Sequence, residues 1–270
     1  MNEKPSKVQL VKVQSMTLNE DFYVCLANDL IVGKQKSMSV WASRILNFLV
    51  MQLIGDESEL GTYTVRIQKL ANFVDLDSSS GTIYQNIKKA VKEIQETVIE
   101  ISTGNPKDAW KMFHWMKTAE YDGDGNLTLA LSDEVKPYLL DLKSRGWFTQ
   151  YQIKEILPMS SFYAIRLYQY ISLVDKKSRT SVDSFTITIE QLREYLQCTT
   201  KFKQIGELKK RVIDVAQKQI NANKNSAYWI DVDYIKTGRT VTSVKFTIHD
   251  GEFIRRHALP QIKGQTKIDV

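Results

Sequence analysis

Residues 184–221, SFTITIEQLREYLQCTTKFKQIGELKKRVIDVAQKQIN, constrain most strongly what the rest of the chain can become. Phe185, Ile187 and Ile189 alternate with Thr and Ser, which predicts a short half-buried strand. Leu192, Tyr195 and Leu196 then follow at helical spacing, and Cys198-Thr199-Thr200 breaks the pattern. Ile205, Leu208, Val212, Val215 and Ile220 fall on one face of a longer helix. Strand, short helix, polar turn and longer helix are the parts of a helix-turn-helix. From Thr199 to Lys224 there are seven Lys or Arg and two acids, a net of +5. Residues 228–234 and 241–248 read as a hairpin turning at Lys236-Thr237-Gly238-Arg239, where glycine supplies the positive φ a tight turn needs. A helix-turn-helix followed by a hairpin is a winged helix, and its basic long helix predicts a DNA-binding module.

The 270 residues suit two modest domains, and 43% hydrophobic content is ample for their cores. The formal net charge of +6 is moderate, so its concentration on one helix says more than its size. Cys25 and Cys198 cannot build a disulfide framework or a zinc cluster, and they suit a reducing compartment. No apolar run approaches the ~20 residues of a membrane helix, and the opening MNEKPSKVQLVKV lacks a signal-peptide core. A cytoplasmic protein with no membrane partner is expected.

Upstream, residues 16–28 read as a short helix capped by Thr17 or Asn19. Residues 37–54 read as a helix with Val40, Trp41, Ile45, Phe48, Leu49 and Leu53 on its apolar stripe. A strand (63–67), a short helix (67–76), a turn rich in Ser (77–81) and a longer helix (82–96) follow. Residues 97–101, 111–121 and 127–131 read as strands, the last two joined by Asp122-Gly123-Asp124-Gly125. A calcium loop is a poor account of that turn: Asp133 stands where a loop's closing Glu belongs.

The order is that of the second half. Residues 64–70, TVRIQKL, lie over 186–192, TITIEQL, and Arg44 lies over Arg166, both at an offset of 122. Ile87-Lys88-Lys89-Ala90-Val91 lies over Leu208-Lys209-Lys210-Arg211-Val212, one residue tighter. An offset held through helix, strand and helix predicts two copies of one module. The expected fold class is therefore α+β, two tandem winged-helix domains related by an internal pseudo-repeat. The expected boundaries are 1–142, a linker at 143–157, 158–252, and a basic tail at 253–270. Trp147, Phe148 and Tyr151 make the linker one that packs rather than a flexible tether.

The run FTQYQIKEILPMSSFYAIRLYQYI (148–171) resembles the block F-x-x-Y … S-x-Y-A-I-R-L-Y of the iteron-binding plasmid replication initiators, a family with tandem winged helices. Residues 187–221 resemble its second block, ending here in Lys209, Lys210, Arg211, Val212, Ala216, Ile220 and Asn221. The resemblance extends over about residues 17–250. Phe202 stands where the family often has Tyr, and Gln219 where it often has Glu. The resemblance implies binding to short direct repeats of double-stranded DNA at an origin. It also implies recruitment of host replication proteins such as the helicase or its loader, and autorepression by a homodimer in equilibrium with monomer. A dimer interface on the strands of residues 97–131 is expected.

Recognition helices touch base edges with their N-terminal side. That side carries Lys201, Lys203, Gln204, Glu207, Lys210 and Arg211. Arg211 and Lys210 can pair with guanine, Gln204 with adenine and Glu207 with cytosine. Lys236, Thr237 and Arg239 at the hairpin tip reach the backbone or adjacent groove. The equivalent first-module surface is Ser78, Ser79, Tyr84, Gln85, Lys88 and Lys89, on a less basic helix. Arg166, like Arg44, is either a structural arginine among apolar neighbours or a phosphate contact. Ser160 and Ser161 can cap a helix and offer its N-terminus to phosphate.

Catalysis finds little support. His114, His249 and His257 are scattered with no His-x-His, and no phosphate-binding G-x-x-x-x-G-K-[ST] loop occurs. No metal or cofactor is expected. A winged-helix transcription regulator without replication activity is the alternative, and an origin-nicking enzyme a distant third.

Overall fold

The computed structural model describes residues 13–53, 60–74, 82–104, 109–140, 142, 146, 148–177 and 184–251. The chain divides into two compact units between Ile153 and Lys154.

In the first unit β1 (Val13–Ser15), β2 (Tyr23–Ala27), α1 (Asn28–Val32) and β3 (Lys34–Gln35) lead to α2 (Val40–Val50). Ser39 caps α2 by accepting the amide hydrogen of Ala42, 3.2 Å. The helix is buried on all sides from Ala42 to Val50, as an all-round core helix must be. β4 (Thr62–Arg66), α3 (Ile67–Phe73) and α4 (Ile83–Glu96) follow. Ile83, Ile87, Ala90, Val91 and Ile94 are the buried stripe of α4. Burial of each such side chain contributes about 1.5–3 kcal/mol. β5 (Val98–Ser102), β6 (Trp110–His114), β7 (Met116–Tyr121), β8 (Asn126–Leu131), α5 (Lys136–Leu139) and β9 (Phe148–Gln152) complete the unit.

Three sheets result, ordered β1-β4-β8-β7, β3-β5-β6 and β2-β9. The expected single strand over 111–121 is two. Trp115 interrupts it, buried with its indole N–H donating to Gln35 at 2.9 Å, and the chain there changes sheet. The expected helix over 16–28 is instead β2 with α1 starting at Asn28. β2 pairs antiparallel with β9, inside the stretch read as a linker. Tyr151 of β9 donates its hydroxyl to Asn47 in α2 at 2.6 Å, so β9 is fastened to the core of this unit.

In the second unit α6 (Phe162–Lys177) precedes β10 (Ser184–Thr188) and α7 (Ile189–Tyr195). Thr188 and Gln191 form a capping box at the start of α7. The long helix has three parts: α8 (Ile205–Leu208), a π-helical turn (Lys209–Ile213) and α9 (Asp214–Ala222). β11 (Tyr228–Thr237) and β12 (Thr240–Asp250) close a sheet ordered β10-β12-β11.

The pseudo-repeat is present in the sheets as well as the helices. β4, β8 and β7 of the first unit hold the places of β10, β12 and β11 in the second. The hairpin β5-β6 is an insertion between long helix and wing that the second unit lacks.

Candidate nucleic-acid interface

The turn between α7 and α8 presents the long helix. Arg193 fixes it from α7, its guanidinium donating to the carbonyls of Lys201 (3.0 Å), Phe202 (2.7 Å) and Lys203 (3.1 Å). That clamp holds Phe202 at a φ of +53°, a left-handed conformation uncommon for an aromatic residue. The Phe202 ring is kept in place edge-on to Tyr163 of α6 at 5.8 Å. Lys201, Lys203, Gln204 and Glu207 are consequently all exposed on one turn and the first turn of helix.

The π turn holds the densest basic run, Lys209-Lys210-Arg211. Lys210 and Arg211 are exposed. Lys209 is half-buried, its Nζ 3.5 Å from the centre of the Tyr234 ring on β11. The Tyr234 hydroxyl donates to the Asp214 carboxylate at 3.1 Å. Burial first, and then the Asp214 charge, push that phenol well above its usual value, so it stays a donor. Beneath this face lie Leu208, Val212, Ile213, Ala216 and Ile220. Ala216 takes the buried place expected of Val215, because a π turn adds a residue to its turn of helix. At the helix end Asn221 both donates to and accepts from the backbone of Ile230 (2.9 and 2.8 Å), tying it to β11.

The wing turns on Gly238 and Arg239, between the paired Thr237 and Thr240. Gly238 has φ +61° and is the only one of the two with positive φ, the pattern of a II′ turn. Lys236, Thr237 and Arg239 are exposed there.

Two expected contacts are placed otherwise. Arg166 is 3% exposed, its guanidinium carbon 4.5 Å from the Tyr195 ring centre and its Nη1 donating to Gln169. It is a core residue, which corrects its assignment to the DNA face. Its counterpart Arg44 is likewise buried and donates to the carbonyl of Val74 at 2.6 Å. Burial and the Tyr170 phenol push Tyr195 up to about 12, against the opposing pull of Arg166. Ser160 and Ser161 do lie just ahead of α6, but their amides donate to Gln219 Oε1 at 3.0 and 3.1 Å. Gln219 Nε2 donates in turn to Ser160 Oγ, 2.8 Å. The helix N-terminus is thus capped from within the fold rather than left for phosphate.

In the first unit Gln85, Lys88 and Lys89 are exposed along α4. Tyr84 is turned toward the wing, its ring 4.7 Å from that of Tyr121 on β7. Ser78 and Ser79 lie outside the described residues. The wing tip here is acidic: Asp122 accepts from the amides of Asp124 (2.8 Å) and Asn126 (2.9 Å), closing a hairpin turn. Hydrogen bonds from Asn126 are the chief reason its carboxyl is held below the usual carboxylate range.

Sequence reasoning missed Arg193, Tyr234 and Asp214. Arg193 acts on carbonyls, which no residue pattern marks. Tyr234 meets its partners only once the hairpin is folded back on the helix.

Two winged helices in one chain, the second with a basic recognition helix and a basic wing, define a tandem winged-helix DNA-binding protein. Sequence models of the "Initiator Replication protein, WH1" and "Initiator Rep protein, WH2" families match residues 23–172 and 188–248, and the chain belongs to this family of replication initiators. Among solved structures it is similar to the Pi initiator protein in complex with iteron DNA. That match has a TM-score of 0.67 at 20% identity, over 86% of this chain and 99% of that one. Domains 2 and 3 of RctB match at a TM-score of 0.46 and 13% identity, over 83% of this chain and 82% of that one.

Proposed function

We propose that this protein initiates plasmid replication by binding direct repeats of double-stranded DNA at the origin, with its second winged helix supplying most of the specific affinity. The carrying observation is the exposure, on one recognition helix and its own wing, of Lys201, Lys203, Lys210, Arg211, Lys236 and Arg239. In this reading Arg211 and Lys210 address guanine, Gln204 adenine and Glu207 cytosine. Lys236, Thr237 and Arg239 meet the backbone. The first unit adds weaker contacts from Gln85, Lys88 and Lys89. Its acidic tip, Asp122 and Asp124, is repelled by phosphate, so its wing does not grip the backbone as the second one does. The likeness to an initiator seen on iteron DNA supports the choice of direct repeats.

The origin-bound form is a monomer, because a direct repeat has no two-fold axis for a symmetric dimer to match. A homodimer on an inverted repeat represses the protein's own gene. The strands at 97–131 carry the dimer interface, and host helicase or its loader joins the DNA-bound monomer in the cytoplasm.

A footprint over the DNA flanking the gene tests this, with sedimentation of the protein with and without one protected repeat. Spaced direct repeats and one chain per repeat are expected. A single inverted repeat holding two chains would move the assignment to a transcription regulator. On the protected repeat, Arg211→Ala should weaken binding by about 1–3 kcal/mol. Lys236→Ala should weaken all sequences alike and flatten the salt dependence.

A further inference from the structure

The two wings are fastened to their recognition helices at the same place. In the first unit Val65 of β4 pairs with Leu127 of β8, which pairs with Tyr121 of β7. In the second, Ile187 of β10 pairs with Val244 of β12, which pairs with Tyr234 of β11. Val65 and Ile187 are equivalent at the offset of 122, so Tyr121 and Tyr234 occupy one position of the wing. On the helix side, Lys88 and Lys209 are equivalent at the offset of 121. Tyr234 lies under Lys209 Nζ at 3.5 Å. The Tyr121 ring lies tilted against the Tyr84 ring at 4.7 Å, and Lys88 Nζ lies 5.8 Å from the centre of the Tyr84 ring, on its own helix. Both copies thus join long helix to wing through a wing tyrosine, although its partner is a tyrosine in the first and the lysine itself in the second.

In the second unit the contact is the more direct, and it has a further anchor in the bond from Tyr234 to Asp214. Lys209 opens the π turn that carries Lys210 and Arg211, and Asp214 follows it directly. A cation held on a ring face is diverted from phosphate, so Lys209 serves the fold of the interface rather than its charge. Beyond Tyr234 the wing runs on through exposed residues, 235–240. A hairpin held only by its own ladder has to be ordered on binding, and that cost lowers the contribution of its tip.

We propose that Tyr234, braced by Lys209 and Asp214, is a positioning residue that sets the wing against the recognition helix, so that Arg211 and Arg239 meet one duplex without a separate ordering step. The proposal rests on the DNA face assigned above.

The test is a pair of mutant cycles on the full chain, read as affinity for a duplex carrying one footprinted repeat. In the wild-type background Arg239→Ala should cost about three- to tenfold in affinity, as a desolvated or phosphate-facing cation does. In the Tyr234→Leu background the same change should cost less than about twofold, because an unaimed tip already contributes little. Arg211→Ala should cost the same in both backgrounds. Lys209→Met gives the same pattern without touching the wing and stands in if Tyr234→Leu does not fold. Lys209→Arg, which keeps a cation over the ring, should restore the wild-type cost of Arg239→Ala. An undiminished cost of Arg239→Ala in Tyr234→Leu and Lys209→Met overturns the brace. So does an equal fall in the costs of Arg239→Ala and Arg211→Ala, which is the mark of general destabilisation. If Arg239→Ala and Arg211→Ala both cost nothing in the wild type, the DNA face itself is misassigned and the brace falls with it.

Discussion

Gln219 illustrates how one side chain can settle what an exposed helix end is for. Its Oε1 accepts two amides at the start of α6, while its Nε2 donates to Ser160. Those amides are positive ends of a 16-residue helix, and a carboxylate there is favoured over a neutral amide by about 0.3–1 kcal/mol. Ser160 Oγ can rotate to donate where it now accepts. Gln219→Glu should therefore raise the melting temperature by a few degrees near neutral pH. The gain should vanish on acidification through the carboxylate range. A variant that melts at or below the wild type near neutral pH would mean the two amides do not see the side chain as an acceptor. Arg166 makes the complementary point. The apolar residues around it in sequence marked it as unusual, but only the Tyr195 ring shows that its charge is satisfied in the core.

Among the elements, the wing turn depends on one backbone angle. A Cβ at Gly238 would meet nothing within 4 Å, so a substitution there faces conformational strain and no clash. The left-handed region costs a β-branched residue at least about 1–2 kcal/mol. Gly238→Val should lower stability by that amount, and Gly238→Asn by much less. Equal thermal melts for both variants would show that the turn is not held at positive φ. This turn was legible in the sequence because glycine between polar residues has a local cause. So were β10, α7 and the two long helices, whose patterns are set by one buried face. β2 was not: its partner β9 lies about 120 residues away, and without that partner Val24 and Leu26 read as helix. The π turn was also hidden, although it left a trace. Buried Ile87 and Ile94 are seven residues apart, whereas Leu208 and Ala216 are eight apart, and the extra residue is what the π turn absorbs. The offset between the repeats, 121 from Ile87 to Leu208, is thus returned to 122 from Ile94 to Ala216 by a residue that no propensity records. The basic cluster of the long helix was legible as a run of charges at helical spacing, and it is exposed in the fold. Its supports were not, because Arg193, Lys209 and Tyr234 act through contacts made only in the folded unit.

For the molecule as a whole, charge and titration are unevenly spread. A net of +5 of the formal +6 lies within residues 199–224, so the field that draws DNA is local to one face. The same unit holds five phenols pushed up in pKa: Tyr168, Tyr170, Tyr195, Tyr228 and Tyr234, each chiefly by burial. Tyr168 is raised further by the Glu155 carboxylate, Tyr228 by Asp175 and Tyr234 by Asp214. A raised phenol keeps its proton in the folded state at a pH where the unfolded chain has lost it. Its contribution to stability is complete below the unfolded value of about 10 and declines as pH rises toward the folded value. Five such groups act in the same direction, so the second unit should lose stability steeply above about pH 10. The phenolate absorbance of these five groups should then appear together with unfolding rather than before it. Tyr234→Phe removes one of the five and should make the alkaline decline shallower. If the native protein forms as many phenolates as the unfolded chain while the thermal midpoint stays constant, these five hydroxyls are not held as placed. If Tyr234→Phe leaves the slope unchanged, the Tyr234–Asp214 bond does not contribute to it.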